Sequence, residues 1–213
     1  MRKVLIAVLT VSIFLFPFYA VAQEEDSGEE ESSTVQTRAD NLEKTDEKLI
    51  LKNNVVVIRG ENRINADRAE LFREDERAEL WDNVSAEYSQ GTVTSRELIA
   101  YMDEDRYEFR EDVVLNHSTD EGEEMTLETP FLELFTEDNS FNAREGVVIE
   151  FQERTLKSDK AEYDGETEIL TMVDNVQIEE DGDWIRSEKA EFDLGAEDEF
   201  TAEGSVELEF ETD

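Results

Sequence analysis

Residues Ile64-Asn65-Ala66-Asp67-Arg68-Ala69-Glu70-Leu71-Phe72 hold the pattern that decides the fold: apolar side chains stand at 64, 66, 69 and 71. A strand turns alternate side chains to one face, so positions i, i+2, i+5 and i+7 share a face only if the strand slips its phase by one residue midway. A β-bulge or corner does this, because the extra residue bends the strand and restores the pleat. The phrase recurs. Val35, Ile64, Val93, Leu127, Leu156 and Ile185 open six copies at spacings of 29, 29, 34, 29 and 29 residues, each followed two positions on by a small residue: Thr37, Ala66, Ser95, Thr129, Ser158 and Ser187. In five copies the apolar face resumes three residues later, for example at Leu132 and Leu134 or Ala161 and Tyr163. The first copy has Asp40 there and reads as a frayed edge.

A second anchor follows each phrase. Val55, Val84, Val113, Val147, Val176 and Val206 are preceded by Asn53-Asn54, Asp82-Asn83, Glu111-Asp112, Glu145-Gly146, Asp174-Asn175 and Gly204-Ser205. Asn, Asp and Gly tolerate left-handed backbone and bond locally, so these pairs predict a second bend in each repeat. Apolar residues flank it at −6, −4, 0 and +2, as at Leu49, Leu51, Val55 and Val57. Charged tips such as Asp103-Glu104-Asp105-Arg106 separate the phrases. Self-similarity at a fixed period marks a repeat architecture. The expectation is an all-β chain of about six hairpin units of ~29 residues, at least twelve bent strands, wrapped as a jelly roll or solenoid around one apolar interior.

Composition narrows the function. The 213 residues carry 58 Asp and Glu against 20 Lys and Arg, a formal net charge of −38. No basic stripe exists in the sequence to displace counterions from a phosphate backbone, which argues against nucleic acid as a partner. There is no Cys, hence no disulfide, thiolate metal site or lipobox, and one His, which leaves little room for a Ser-His-Asp or His-rich metal site. Carboxylates are so abundant that no pair singles itself out as an acid and base, and the chain is not expected to be an enzyme or to need a cofactor. Asp181-Gly182-Asp183 and Asp103-Glu104-Asp105 follow no calcium-loop spacing and read as solvated turns. His117 reads as a surface residue at a strand end, and Trp81 and Trp184 as packing under neighbouring turns.

Met1 to Lys3, an apolar run from Val4 to Tyr19, Pro17 and the small residues Ala20 and Ala22 form a secretory signal peptide over residues 1–22. The competing reading is an anchor helix, since Val4 to Ala22 approaches the length of a span. Residues 23–33 are acidic and polar and read as a disordered linker, leaving 34–213 as the folded domain. A dense negative surface is tolerable where salt shortens the Debye length, which suggests a salt-loving source.

With export, the phrase at 64–72, its close copies Leu156-Lys157-Ser158-Asp159-Lys160-Ala161-Glu162-Tyr163-Asp164 and Ile185-Arg186-Ser187-Glu188-Lys189-Ala190-Glu191-Phe192-Asp193, and the Asp-Asn-Val step at Asp82 and Asp174, the chain resembles the OstA-like family over about residues 34 to 210. That family includes LptA, the periplasmic part of LptC and the N-terminal domain of LptD. The resemblance implies a twisted β-jelly roll that holds lipid A acyl chains in an apolar groove and joins end to end through edge strands. It also implies a periplasmic bridge for lipopolysaccharide or a related glycolipid, with LptC-like and LptD-like domains as partners and head-to-tail self-association. The strong acidity and the five extra residues between Val93 and Leu127 depart from typical members.

The expected interior, and hence the lipid-binding face, is Ile64, Ala66, Leu71, Leu80, Val84, Phe109, Val113, Leu115, Phe141, Val147, Ile149, Leu170, Met172, Val176 and Ile178. From the sequence this is either a dry core or an open trough. Edge strands near Val35 to Leu42 and Ser205 to Phe210 are the expected docking ends. Two alternatives stand beside the bridge: a structural β-solenoid envelope or adhesin module with a dry core, and an LptC-like anchored subunit of the same pathway.

Overall fold

The computed structural model describes residues 34–72, 74–119, 122–195 and 200–210. The expected signal peptide and acidic linker lie outside them. The described chain is all-β. Two short strands, β1 (Val35–Arg38) and β2 (Asn41–Lys44), precede ten long ones: β3 (Lys48–Arg59), β4 (Asn62–Phe72), β5 (Arg77–Tyr88), β6 (Gly91–Tyr101), β7 (Arg106–Ser118), β8 (Glu124–Phe135), β9 (Ser140–Phe151), β10 (Arg154–Asp164), β11 (Ile169–Glu180) and β12 (Asp183–Asp193). Two short strands, β13 (Phe200–Glu203) and β14 (Glu207–Glu209), follow. From β3 to β12 every strand pairs antiparallel with its neighbours in sequence. At the ends, β1 and β2 both pair β3, while β13 and β14 both pair β12, so each edge is one strand broken at the bend. This is one continuous antiparallel sheet of jelly-roll or solenoid type.

Both bends fall where the sequence places them. All six polar or Gly pairs are left-handed: Asn53 and Asn54 at φ 63° and 50°, Asp82 and Asn83 at 61° and 50°, Glu111 and Asp112 at 60° and 52°, Glu145 and Gly146 at 73° and 98°, Asp174 and Asn175 at 64° and 54°, Gly204 and Ser205 at 72° and 41°. Two such residues in succession turn the strand without ending it, and Asn, Asp and Gly bear that conformation at least cost. On the phrase strands the ladder slips at the same level, between Lys52 and Val55 of β3 opposite Arg68 and Ala66 of β4, for example. The corner therefore runs across the whole sheet. Alternation holds through it: Ile64, Ala66, Ala69 and Leu71 are buried, as are Leu127, Thr129, Leu132 and Leu134.

Bending every strand at mid-length brings the two ends of the strands together. The turns at 60–61, 89–90 and 152–153 form a first rim, and those at 102–105, 136–139 and 165–168 a second. Side chains 45 to 50 residues apart meet across the seam between them. The Arg59 guanidinium pairs with Asp105, Asn62 Nδ2 donates to Tyr107 Oη at 3.3 Å, Ser89 Oγ donates to Asn139 Oδ1 at 2.8 Å, and Arg154 lies 5.8 Å over the Phe200 ring. Turns also stack along a rim. A Cβ on Gly165 would fall 1.9 Å from the Asp138 carbonyl oxygen, so only glycine lets these two turns touch. One apolar cluster from Leu51 to Leu194 fills the space between corner and seam.

Candidate functional site

The interior is the candidate site, and its corner is built by short side chains. Among the buried hydroxyls that follow the opening apolar residue, Thr129 lies 3.2 Å from the Phe131 carbonyl but 2.8 Å from that of Arg144 on the next strand; the others donate to the backbone carbonyl two residues on, Ser95 to Glu97 at 2.9 Å, Ser158 to Lys160 at 2.7 Å and Ser187 to Lys189 at 2.9 Å. The phase slip takes that carbonyl off the ladder, and the hydroxyl replaces its bond. The sequence shows these residues as small; that they are hydroxylated for this reason becomes plain only at the bend. Outside the corner a second clip joins adjacent strands. Asn83 Nδ2 donates to Asp67 and Asn175 Nδ2 to Asp159, each at 2.7 Å, and where Arg96 replaces the Asp, its partner is Asp112, at 2.8 Å.

All fifteen expected interior residues are buried, from Ile64 in β4 to Ile178 in β11, none more than 6 % exposed. With the rims in contact the interior is closed along the seam. It is open at its ends, where the inward row continues into Leu42 at one edge and Val206, Leu208 and Phe210 at the other, with Leu42 61 % and Phe210 60 % exposed. β1 and β2 are exposed throughout, as the weak first phrase implied.

Three sequence expectations are corrected. His117 stands at a strand end but is fully buried, because the alternation from Val113 and Leu115 carries it inward and the second rim covers it. Its Nδ1 lies 2.8 Å from the Tyr88 hydroxyl, and its ring packs edge-on to Tyr163 with centroids 5.0 Å apart. Burial, with Tyr163 nearby, raises the Tyr88 phenol above its ordinary value. Trp81 and Trp184 do not tuck under turns. Each stands one position off the inward alternation, on the outer face, where Arg68 lies 5.1 Å over Trp81 and Arg186 4.5 Å over Trp184. Tyr88 and His117 were absent from the expected interior, although extending each period-two run by one step finds both; Tyr163, read on the inward face, is buried there.

On the outer face between corner and second rim, two cross-strand rows rich in cations and aromatics flank a row rich in Glu, and in one of them the two kinds alternate over six strands. Lys48, Phe72, Arg77, Tyr101, Arg106 and Phe135 are successive cross-strand neighbours in that row. Arg106 stacks 3.8 Å from the Tyr101 centroid and reaches Glu104, Glu108 and Glu133 at 2.7, 2.6 and 3.2 Å. Burial alone would raise the Glu108 carboxyl; hydrogen bonds from Arg110 and Arg106 outweigh it and hold it below its ordinary value. Lys48, at 2.5 Å, and Arg68 do the same for Glu70.

Residues 34–198 match the family described as "LptA/(LptD N-terminal domain) LPS transport protein". The chain belongs to that family. It is accordingly a transport protein rather than an enzyme, and a periplasmic one, as the resemblance implied. The crystal structure of LptH, the LptA-homologous periplasmic component of the lipopolysaccharide transport device of Pseudomonas aeruginosa, is similar over 71 % of this chain and 95 % of that one, at 11 % identity and a TM-score of 0.31, too slight a likeness to argue from. No curated protein matches the chain.

Proposed function

We propose that this protein is a lipid-binding bridge of the lipopolysaccharide transport system, exported by a cleaved signal peptide at 1–22. In this reading its domain, 34–213, is a twisted β-jelly roll of six hairpin units, and it carries lipid A acyl chains along the interior from Ile64 to Ile178. It joins LptC-like and LptD-like domains, or further copies, by strand addition at β1–β2 and β13–β14. The observation that carries the reading is a single apolar interior that traverses the whole stack and continues, uncovered, into Leu42 and Phe210 at its two ends. A dry structural core has no reason to leave both ends exposed.

The seam is the way in. Its two sides are held by side chains, not by a ladder, and parting it breaks a few hydrogen bonds and ion pairs worth about 1 kcal/mol each. Burying an acyl chain returns about 0.8 kcal/mol per methylene, which offsets the polar bonds lost along the seam. The headgroup stays in solvent. The test places a photo-crosslinker at Phe109 or Phe141, inside, or at Glu108, outside, and adds lipopolysaccharide. Saturable crosslinking is expected from the two inner positions only. In a Ser89→Cys/Asn139→Cys variant, oxidation should abolish it and reduction restore it. A folded protein that crosslinks from neither inner position has a dry core, and the structural envelope module takes the bridge's place.

A further inference from the structure

Three hairpins close at the second rim with an aromatic residue opposite the first residue of the next strand: Phe72 with Arg77, Tyr101 with Arg106 and Phe135 with Ser140. In the first two, the guanidinium lies 4.6 and 3.8 Å from its ring centroid and pairs with a Glu two residues on, Arg77 with Glu79 at 3.0 Å and Arg106 with Glu108 at 2.6 Å. The third hairpin keeps the aromatic ring and lacks both charged groups, because Ser140-Phe141-Asn142 stands where the others have Arg-x-Glu. Among the described residues no cation lies over Phe135. The shorter side chains leave a depression of about 340 Å³ on the outer face, walled by Phe135 of β8 and by Glu162 and Asp164 of β10, with Glu166 at the turn; no basic residue lines it. Ser140 does not fill it, since its Oγ accepts from the Gly165 amide at 3.0 Å where the turns stack.

We propose that this depression receives an arginine side chain from a partner protein, laid on Phe135 as Arg106 lies on Tyr101 and paired with Glu162. A guanidinium is planar, stacks on aromatic faces and bonds a carboxylate with two donors at once, so it reproduces both contacts that the first two hairpins make internally. The net charge of −38 draws basic segments to the surface as a whole. Charge does not choose among so many carboxylates; the uncovered ring and the missing Arg-x-Glu do. The depression stands on β8–β10, outside the apolar interior and clear of the edge strands at β1–β2 and β13–β14. A partner held there leaves the interior and both ends free, so the inference stands apart from the bridge reading.

The experiment titrates the isotopically labelled protein with N-acetyl-arginine methylamide and with its citrulline counterpart, in salt that screens the general field, and follows backbone amide shifts. Arginine is expected to give saturable shifts centred on Phe135, Ser140, Asn142 and Glu162, and to bind about 10-fold more tightly than citrulline, which has the same shape without the charge. Phe135→Leu keeps every charge and should weaken arginine by about 5-fold, which separates the site from the diffuse negative surface. A Ser140→Arg/Asn142→Glu variant with native β content restores the motif from within and should no longer bind. Shifts spread evenly over the acidic surface, an affinity unchanged in Phe135→Leu, or binding at the same amides in the filled variant overturns the site. Tighter binding of spermidine than of arginine would assign the depression to a free polyamine and overturn the protein partner.

Discussion

At the residue scale a single side-chain oxygen supports the corner in several of the phrase strands. Ser158 Oγ donates to the Lys160 carbonyl at 2.7 Å, and the same bond recurs from Ser95 and Ser187. In β4 the position is Ala66, buried like the others but without a donor. Replacing Ser158 with Ala should therefore cost about 1 kcal/mol, the net worth of a buried hydrogen bond whose acceptor is left behind. Ala66→Ser should gain up to about the same amount, because the pocket is already shaped for a hydroxyl in the neighbouring copies. Urea midpoints at fixed salt measure both. If Ala66→Ser is as destabilising as Ser158→Ala, the hydroxyl is incidental and the site requires only small volume. The clip outside the corner varies as a unit: Asp67 meets Asn83, while Arg96 meets Asp112. An acid facing an amide and a base facing an acid are two solutions to one contact, which is why the pairs looked merely polar along the sequence.

At the scale of the strand and its neighbours, the outer Glu row is held ionised by the rows beside it. Arg110 and Arg106 hold Glu108 below its ordinary value of 4.5. A carboxyl whose value is lower in the folded chain than in the unfolded one contributes stability above the unfolded value, and loses it as the pH falls through the folded one. Glu108→Gln should thus be less stable than wild type by about 1–2 kcal/mol at pH 7, with the gap closing as the pH falls below about 4.5. Comparing the two proteins matters, because acid also neutralises the other carboxylates and relieves their repulsion in both. Thermal melts from pH 7 to pH 3 follow the gap; one that persists unchanged at pH 3 would mean Gln fails for steric reasons. The strands themselves were legible, since the slip, as at Ala66 to Ala69, is local and repeats in five copies, and the polar or Gly pairs repeat in six. The seam was not. Arg59 and Asp105, or Ser89 and Asn139, are 45 to 50 residues apart, and neither carries a signal that it faces the other until every strand is bent. His117 was misplaced for the same reason: its period-two position was readable, the rim that covers it was not.

At the scale of the whole molecule, the question is how a chain with a net charge of −38 stays folded. Its cations are not spread evenly. Lys52, Arg68, Arg110, Arg144, Lys160 and Lys189 stand in one cross-strand row beside the Glu row, so that face is close to neutral. The excess acid therefore lies elsewhere, along the corner at residues such as Asp82, Glu111 and Asp174 and on the other half of the outer surface. Salt acts on these regions in opposite directions. It weakens exposed pairs such as Lys160–Asp174, at 3.0 Å, but these are worth at most about 1 kcal/mol each. It also screens repulsion among the unpaired carboxylates, as the Debye length falls from about 10 Å at 0.1 M to about 3 Å at 1 M. With nearly three acids for every base, the second effect should win. The melting temperature is expected to rise by about 5 °C or more between 0.1 and 1 M sodium chloride, which at this size corresponds to a gain of one or two kcal/mol. Potassium chloride should match it, since screening depends on ionic strength and not on the cation. A flat response would mean that the acidic ridge and outer half are too far apart to repel, and the inference of a salt-loving source would fall with it.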